Sequence, residues 1–399
     1  MPAFRPADPT EAAAIIAEAA HRRTPLAVMG LGSKRHLGRP AETQNILDLS
    51  NLSGISFYEP EDLVLSALAG TPIELIEAQL AKHGQELAFE PMSLAPLYST
   101  GAGTIGGAYM TNLSGPRRIK AGAARDFVLG VKAISGRGDM FKAGGRVVKN
   151  VTGYDLARGL AGSFGTLAVA TEITLKVLPR AETAATLLIP GLDPANAAAA
   201  LCAAMGTPAD VSGAAHLPAA AARRQGFAIA TTALRIEGFA PSVAARCDML
   251  AAILEPFGRS ERLDAKSSAI LWRAIRDIEP LAKPRENVIW KISVAPTAGP
   301  RIVEAIAATH DCDVLYDWAC GLVWLSLAPC DDAGAGAIRK AIGQNGGGQA
   351  TLIRAPEKTR KIIPVFEPQL EPLAALSRRL KAQFDPFAIL EPGRLWPGA

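Results

Sequence analysis

Apolar positions recur along this chain with two periods. Over residues 8–23, Ile15, Ile16 and Ala19 share one helical face, with Asp8 or Thr10 available as a cap and Pro9 suited to the first turn. Short apolar or alternating runs at 26–29, 46–49, 55–58 and 63–68 predict strands. Gly70 closes the last of them, and Thr71 is placed to cap a helix over 72–83 that carries Glu74 in its third helical position. Residues 91–122 break the pattern: Gly, Pro, Ser and Thr dominate, which predicts a long functional loop. A hairpin follows, 127–134 against 140–142, turning at Gly136-Arg137-Gly138-Asp139. The β-branched run over 166–177 predicts a strand that Pro179 ends.

Past residue 180 the texture changes. Alanine runs at 197–200 and 219–222 predict helices, and strands at 230–236, 288–294 and 322–327 alternate with them. The fold class is therefore α+β, with a first domain over 1–181, a second over 182–355 and a C-terminal segment over 356–399 whose stretch 368–384 is helical.

Composition adds limits. A chain of 399 residues exceeds what one core supports, so two domains are expected. A formal charge of +4 gives no reason to expect nucleic-acid binding. No secretory h-region and no uncharged apolar run of about 18 residues is visible, so neither export nor a transmembrane helix is expected and the cytoplasm is the expected location. Cys202, Cys247, Cys312, Cys320 and Cys330 form no C-x-x-C pair; they read as reduced thiols, and no iron–sulfur cluster or other metal site is expected in this chain.

Three glycine clusters carry the candidate chemistry. Gly30-Leu31-Gly32-Ser33-Lys34 follows a strand, where successive N–H groups can form a concave nest for a pyrophosphate, with Lys34 and Arg35 adding charge. Arg35 holds the place of the third glycine of a Rossmann fingerprint, and the loop is not a Walker loop either. The second cluster spans residues 100–107 and includes Thr104, Ile105, Gly106 and Gly107; close backbone approach to a flat or charged ligand would explain both last glycines. The third, Gly162-Ser163-Phe164-Gly165, enters the strand containing Val169. Taken singly, each cluster is also explained by a turn, a surface loop or a helix cap.

The order G-x-G-S-K, T-I-G-G, V-K-N-V-T-G-Y-D-L at 148–156 and G-S-F-G-T-L-A-V-A-T-E-I-T-L-K-V-L-P resembles the FAD-binding domain of the vanillyl-alcohol oxidase and p-cresol methylhydroxylase class. Ser114-Gly115-Pro116-Arg117-Arg118, R-D-F-V-L-G at 125–130 and the ending D-P-x-x-I-L-x-P-G-R narrow the resemblance to the FAD-binding E subunits of bacterial glycolate oxidases. It implies a two-part FAD-binding domain, a smaller α+β cap and a tail that returns to the first domain. It further implies non-covalent FAD, with its pyrophosphate on Gly30 to Lys34, the segment Thr104 to Gly107 along the cofactor, and Ser114 and Gly115 near its flavin or ribityl part. Gly165 and Val169 would line the adenine end, and Arg394 would approach the flavin. Where the family ending has Asn, this chain has Glu391; His36 lies outside the position used for covalent attachment and reads as a loop histidine.

The implied partners are a catalytic flavoprotein subunit and an iron–sulfur subunit, through which a cytoplasmic protein could also be held at a membrane. The implied activity is glycolate or 2-hydroxy-acid oxidation, with the small acid engaged indirectly. Two alternatives stand beside it: a self-sufficient FAD-dependent 2-hydroxy-acid oxidoreductase, and a non-redox scaffold with a degenerate FAD site. No general base is evident in the second domain. Lys291 is read as a solvent-facing strand lysine ahead of a carboxylate ligand, and Trp272, Trp290 and Trp324 as packing residues.

Overall fold

The computed structural model describes residues 3–101, 103–147 and 153–397. The chain folds as two units. The first comprises Met1–Ser114, Gly122–Arg180 and Pro368–Ala399; the second comprises Gly115–Ala121 and Ala181–Glu367.

The first unit opens with the helix Pro9–Arg22, whose N-cap Asp8 accepts from the amides of Thr10 and Glu11. Its buried face, Ala12, Ile16, Ala19 and Ala20, joins a core with Leu26, Leu47, Val169 and Leu390. Three short parallel strands, Ala3–Phe4, Ile46–Asp48 and Ala27–Met29, lie in that order. A five-stranded antiparallel sheet runs Ile55–Glu59, Val64–Leu68, Ala168–Lys176, Val128–Ser135, Met140–Gly144. The expected hairpin is thus two neighbouring strands of this sheet.

Two local expectations are corrected. The helix Ile73–Ala81 has no side-chain cap; Thr71 instead donates to the carbonyls of Leu68 and Gly54 and accepts from the amide of Gly54, pinning the turn before the helix. The segment 91–122 is not one open loop. It holds the short helices Ala95–Tyr98, Ile105–Thr111 and Arg118–Ala121, the second capped by Thr104 Oγ1 on the amide of Gly107. Gly106 and Gly107 lower helix propensity enough to hide that helix in the sequence.

The second unit is built on an eight-stranded antiparallel sheet. Its order is Glu261–Leu263, Thr183–Pro190, Thr231–Gly238, Gly213–Leu217, Cys312–Asp317, Leu322–Leu327, Val288–Ser293, Gln349–Arg354. The helices Pro194–Met205, Ala240–Leu254, Gly299–Ala307 and Ala335–Gln344 contribute to one core with Leu234, Trp290, Tyr316 and Leu325. Trp272, Trp290 and Trp324 are buried; the first two donate their indole N–H to Thr186 Oγ1 and to the Ala333 carbonyl.

Candidate functional site: a glycine-walled cleft in the first unit

A cleft of about 440 Å³, open to solvent, lies in the first unit. It is lined by Val28, Gly30, Thr104, Gly106, Gly107, Gly165 and Val169, with Leu49, Ala69, Met110, Phe164, Ala168 and Ala170. Residues from all three glycine clusters therefore share one cavity. The small apolar lining residues carry no chemical signal of their own, and sequence reasoning missed them for that reason.

The clusters meet through specific neighbours. A methyl group on Gly30 would lie 2.9 Å from Thr104 Oγ1, and one on Gly103 would lie 2.9 Å from Lys34 Nζ and 3.3 Å from Ser33 Oγ. Lys34 thus reaches across to the second cluster, whereas Leu31 is exposed. Ser33 is buried.

Their backbone donors are used differently. The amides of Ile105, Gly106 and Gly107 are already bonded, to the Thr71 carbonyl at 3.0 Å, the Ala69 carbonyl at 2.9 Å and Thr104 Oγ1 at 3.1 Å. Gly106 is required by the fold, because a methyl there would meet the Ala69 carbonyl oxygen at 2.7 Å. The close approach read from the sequence is here to protein backbone. In contrast, among the described residues the amides of Gly30, Leu31, Gly32 and Ser33 donate to no protein acceptor. Gly32 supports this turn with φ +76°, a conformation that favours glycine.

The C-terminal tail closes this neighbourhood. Leu26 bridges Leu390 in parallel, and Glu391 Oε1 accepts from the amide of Val28 at 2.7 Å. Glu391 is buried, its Oε2 has no hydrogen-bond partner, and Arg394 Nε, likewise unbonded, is 3.8 Å from it. Burial pushes the Glu391 carboxyl above the ordinary range, against the opposing pull of Arg394 and the Val28 amide. The Arg394 guanidinium donates to the carbonyls of Lys34, Arg35 and Arg39 at 3.1–3.2 Å, so it braces the far end of the first glycine loop. Lys381 is buried and donates to Asp385 Oδ2, the Thr166 carbonyl and the Leu390 carbonyl at 2.7–2.9 Å; burial lowers its ammonium below the usual lysine range.

Of the expected site residues, Leu31, Gly32, Ser33, Lys34, Ile105, Ser114, Gly115 and Arg394 are not among those that line the cleft. Ser114 is buried, and its Oγ accepts from the amide of Ala124. Gly115 groups with the second unit, where its carbonyl accepts from the Trp318 indole N–H. Ile105 is buried beneath its helix, His36 packs against Tyr98 with ring centres 5.3 Å apart and the rings tilted by 38°, and residues 102 and 148–152 of the quoted motifs lie outside the described residues.

The residues present fit FAD. Four unbonded amides in one loop, with Lys34 beside them, supply donors and charge for a pyrophosphate. The adjoining wall of Gly, Ala and Val lets a flat ring system approach the backbone.

Comparison with known proteins agrees. Residues 2–144 match the family described as an FAD binding domain. The glycolate oxidase subunit GlcE of Escherichia coli K12 is 34% identical over 374 residues, 94% of this chain and 93% of that protein. The glycolate oxidase subunit GlcD of Bacillus subtilis 168 is 32% identical over 185 residues, covering 46% of this chain and 38% of that protein. The structure of p-cresol methylhydroxylase with substrate bound shares the fold, with a TM-score of 0.75 at 12% identity over 99% of this chain and 88% of that one. The chain binds FAD and belongs to the family of the glycolate oxidase subunit GlcE, among the FAD-dependent oxidoreductases.

Proposed function

We propose that this chain is the FAD-carrying E subunit of a multi-subunit oxidase or dehydrogenase acting on glycolate or a related 2-hydroxy acid. The observation that carries this reading is the end-to-end similarity to GlcE, 93–94% of both chains, against a similarity to GlcD that covers under half of either. The partners on this reading are a catalytic flavoprotein subunit and an iron–sulfur subunit, and any membrane association comes through them. Among the described residues no helix is long and apolar enough to cross a membrane.

Bound FAD supplies the redox chemistry; the protein supplies position and electrostatics. On this reading the amides of Gly30, Leu31, Gly32 and Ser33, with Lys34, hold the pyrophosphate. Thr104, Gly106 and Gly107 flank the cofactor, with Ile105 buried behind them, and Gly165 and Val169 face its adenine end. Ser114 and Gly115 act through the backbone they tie down, and Arg394 acts by fixing the carbonyl side of the phosphate loop. The cofactor is held without a covalent bond.

The deciding experiment mixes the purified yellow chain anaerobically with glycolate or D-lactate. A flavin that stays oxidised alone, and is reduced once the other two subunits are added, supports the subunit reading. Rapid bleaching by the chain alone overturns it in favour of a self-sufficient enzyme. A colourless protein that takes up no added FAD points to the scaffold.

A further inference from the structure

The sheet of the second unit has two chemically distinct faces. Directly opposed residues in antiparallel strands share a face. Leu352, Trp290, Leu325 and Val314 form one row, within the helix-packed core. The adjacent row is Thr351, Lys291, Trp324 and Leu315, so Lys291 projects from the other face.

Lys291 is not the solvent-facing strand lysine that the sequence suggests. Its side chain is partly buried, with Nζ 5.5 Å from the centre of the Trp318 ring. The guanidinium carbon of Arg118 lies 4.7 Å from the same ring centre. Among the described residues the Lys291 ammonium makes no hydrogen bond and no ion pair. Burial, reinforced by the Arg118 charge, lowers it to about 8.

The ring that both cations approach is firmly held. Trp318, Ala319 and Cys320 are three successive residues with left-handed φ, +48°, +55° and +70°. Such conformations are strained for residues other than glycine and persist where the surroundings over-determine them. Here Asp317 Oδ1 accepts from the Trp318 amide at 2.7 Å, and the indole N–H donates to the Gly115 carbonyl at 3.3 Å. The segment that carries Arg118 is anchored in turn by Arg117, whose fork is bidentate on Glu237 at 2.8 and 3.1 Å. Glu237 is also 3.4 Å from Arg235, so that carboxylate is already committed.

We infer that Lys291, Arg118 and Trp318 form a binding site for a small carboxylate, with the two cations as its charge partners and the indole as its floor. Two like charges on one ring, one of them an ammonium without a counter-ion, are costly in a partly desolvated position, and an anion between them removes that cost. A carboxylate suits the pair, because it is planar and matches the fork of an arginine while accepting from the lysine. This goes beyond the proposed function, which leaves the hydroxy acid to a partner subunit, and it does not depend on the flavin.

The test titrates the flavin-loaded chain with sodium glycolate and, separately, sodium oxalate by calorimetry, with sodium chloride at matched ionic strength as control. Saturable carboxylate binding is expected, weakened at least about tenfold by Lys291→Met and by Arg118→Met and retained in Lys291→Arg. Far-UV circular dichroism and the flavin-to-protein ratio report folding separately; if Lys291→Met does not fold, Arg118→Met decides alone. No saturable heat up to about 50 mM carboxylate, an equal response to chloride, or unchanged binding in the folded methionine variants overturns the assignment.

Discussion

The carboxylate of Glu391 accepts the backbone N–H of Val28 at 2.7 Å, fastening the C-terminal tail to a residue that lines the cleft. Its other oxygen is buried without a hydrogen bond, 3.8 Å from Arg394 Nε. One carboxylate thus supports the cleft wall and stands beside the arginine that braces the glycine loop.

Removing that carboxylate should be felt at both ends. Glu391→Ala leaves the Val28 amide without its acceptor and Arg394 without its charge neighbour, an expected loss of about 1–3 kcal/mol in thermal or urea unfolding. Flavin content should fall with it. Glu391→Gln keeps an acceptor for Val28 and should retain most flavin; equal flavin loss in both variants would show that the charge, not the hydrogen bond, is what matters.

The same residue predicts a pH signature. Because burial raises the native carboxyl above its unfolded value, its favourable contribution is complete below the unfolded value and is lost as pH rises through the raised native one. The stability of the wild type relative to Glu391→Gln should therefore fall across that window. Paired melts from pH 4 to neutral test this, and a flat difference would contradict it.

Glu237 should behave in the opposite way. Burial alone would raise its carboxyl, but Arg235 and Arg117 outweigh that and hold it below the ordinary range. Its contribution is present above the unfolded value and lost as pH falls through the lowered one. Arg117→Ala should cost about 1–3 kcal/mol near neutrality, since it removes two charge-assisted hydrogen bonds while Arg235 still faces the carboxylate, and the cost should shrink in acid. Urea titrations at pH 7 and pH 3.5 provide the comparison.

Lys381→Met should both destabilise the first unit and loosen the cofactor. It removes the donor to the Thr166 and Leu390 carbonyls and leaves Asp385 buried without its cation, an expected cost of about 3–5 kcal/mol. Thr166 adjoins Gly165 in the cleft lining, so fluorescence of released flavin should appear at lower temperature than in the wild type.

Glycine substitutions separate fold from ligand. Gly32→Val is strained by its φ of +76° and should cost about 1–3 kcal/mol as well as flavin. A methyl on Gly107 meets Thr104 Oγ1 at 3.4 Å and Lys34 Cδ at 3.5 Å, so Gly107→Ala should fold normally. Gly107→Leu projects further into the cleft and should abolish flavin retention. Full retention in both Gly32→Val and Gly107→Leu would remove the cleft from consideration.

Much of this was legible in the sequence where periodicity and residue chemistry agreed. The helix after Asp8, the strands near residues 28, 57 and 66, and the strand Leu322–Leu327 all follow from local pattern. The glycine-rich turn at 30–34 was legible because glycine and lysine advertise themselves. The helix Ile105–Thr111 was hidden by its two glycines, and the reason for Gly106 by a tertiary contact with Ala69. The sequence shows Glu391 only as a departure from the family's asparagine; what it bonds was not legible, because its partner, Val28, is 363 positions away. Arg118 and Lys291 lie far apart in the chain, and only the fold puts both beside Trp318.

The stitching of the tail onto Val28 also sets an order of events during synthesis. The chain leaves the ribosome from its N-terminus, and the second unit is almost continuous within it. The loop at 30–34 and the strand at Ala168–Lys176 emerge early, yet their neighbourhood lacks Lys381, Glu391 and Arg394 until nearly all the described chain has been made. On the proposed site, capture of the cofactor should wait for residues 381–394, and chains cut before them should fail to hold it even with every glycine cluster intact.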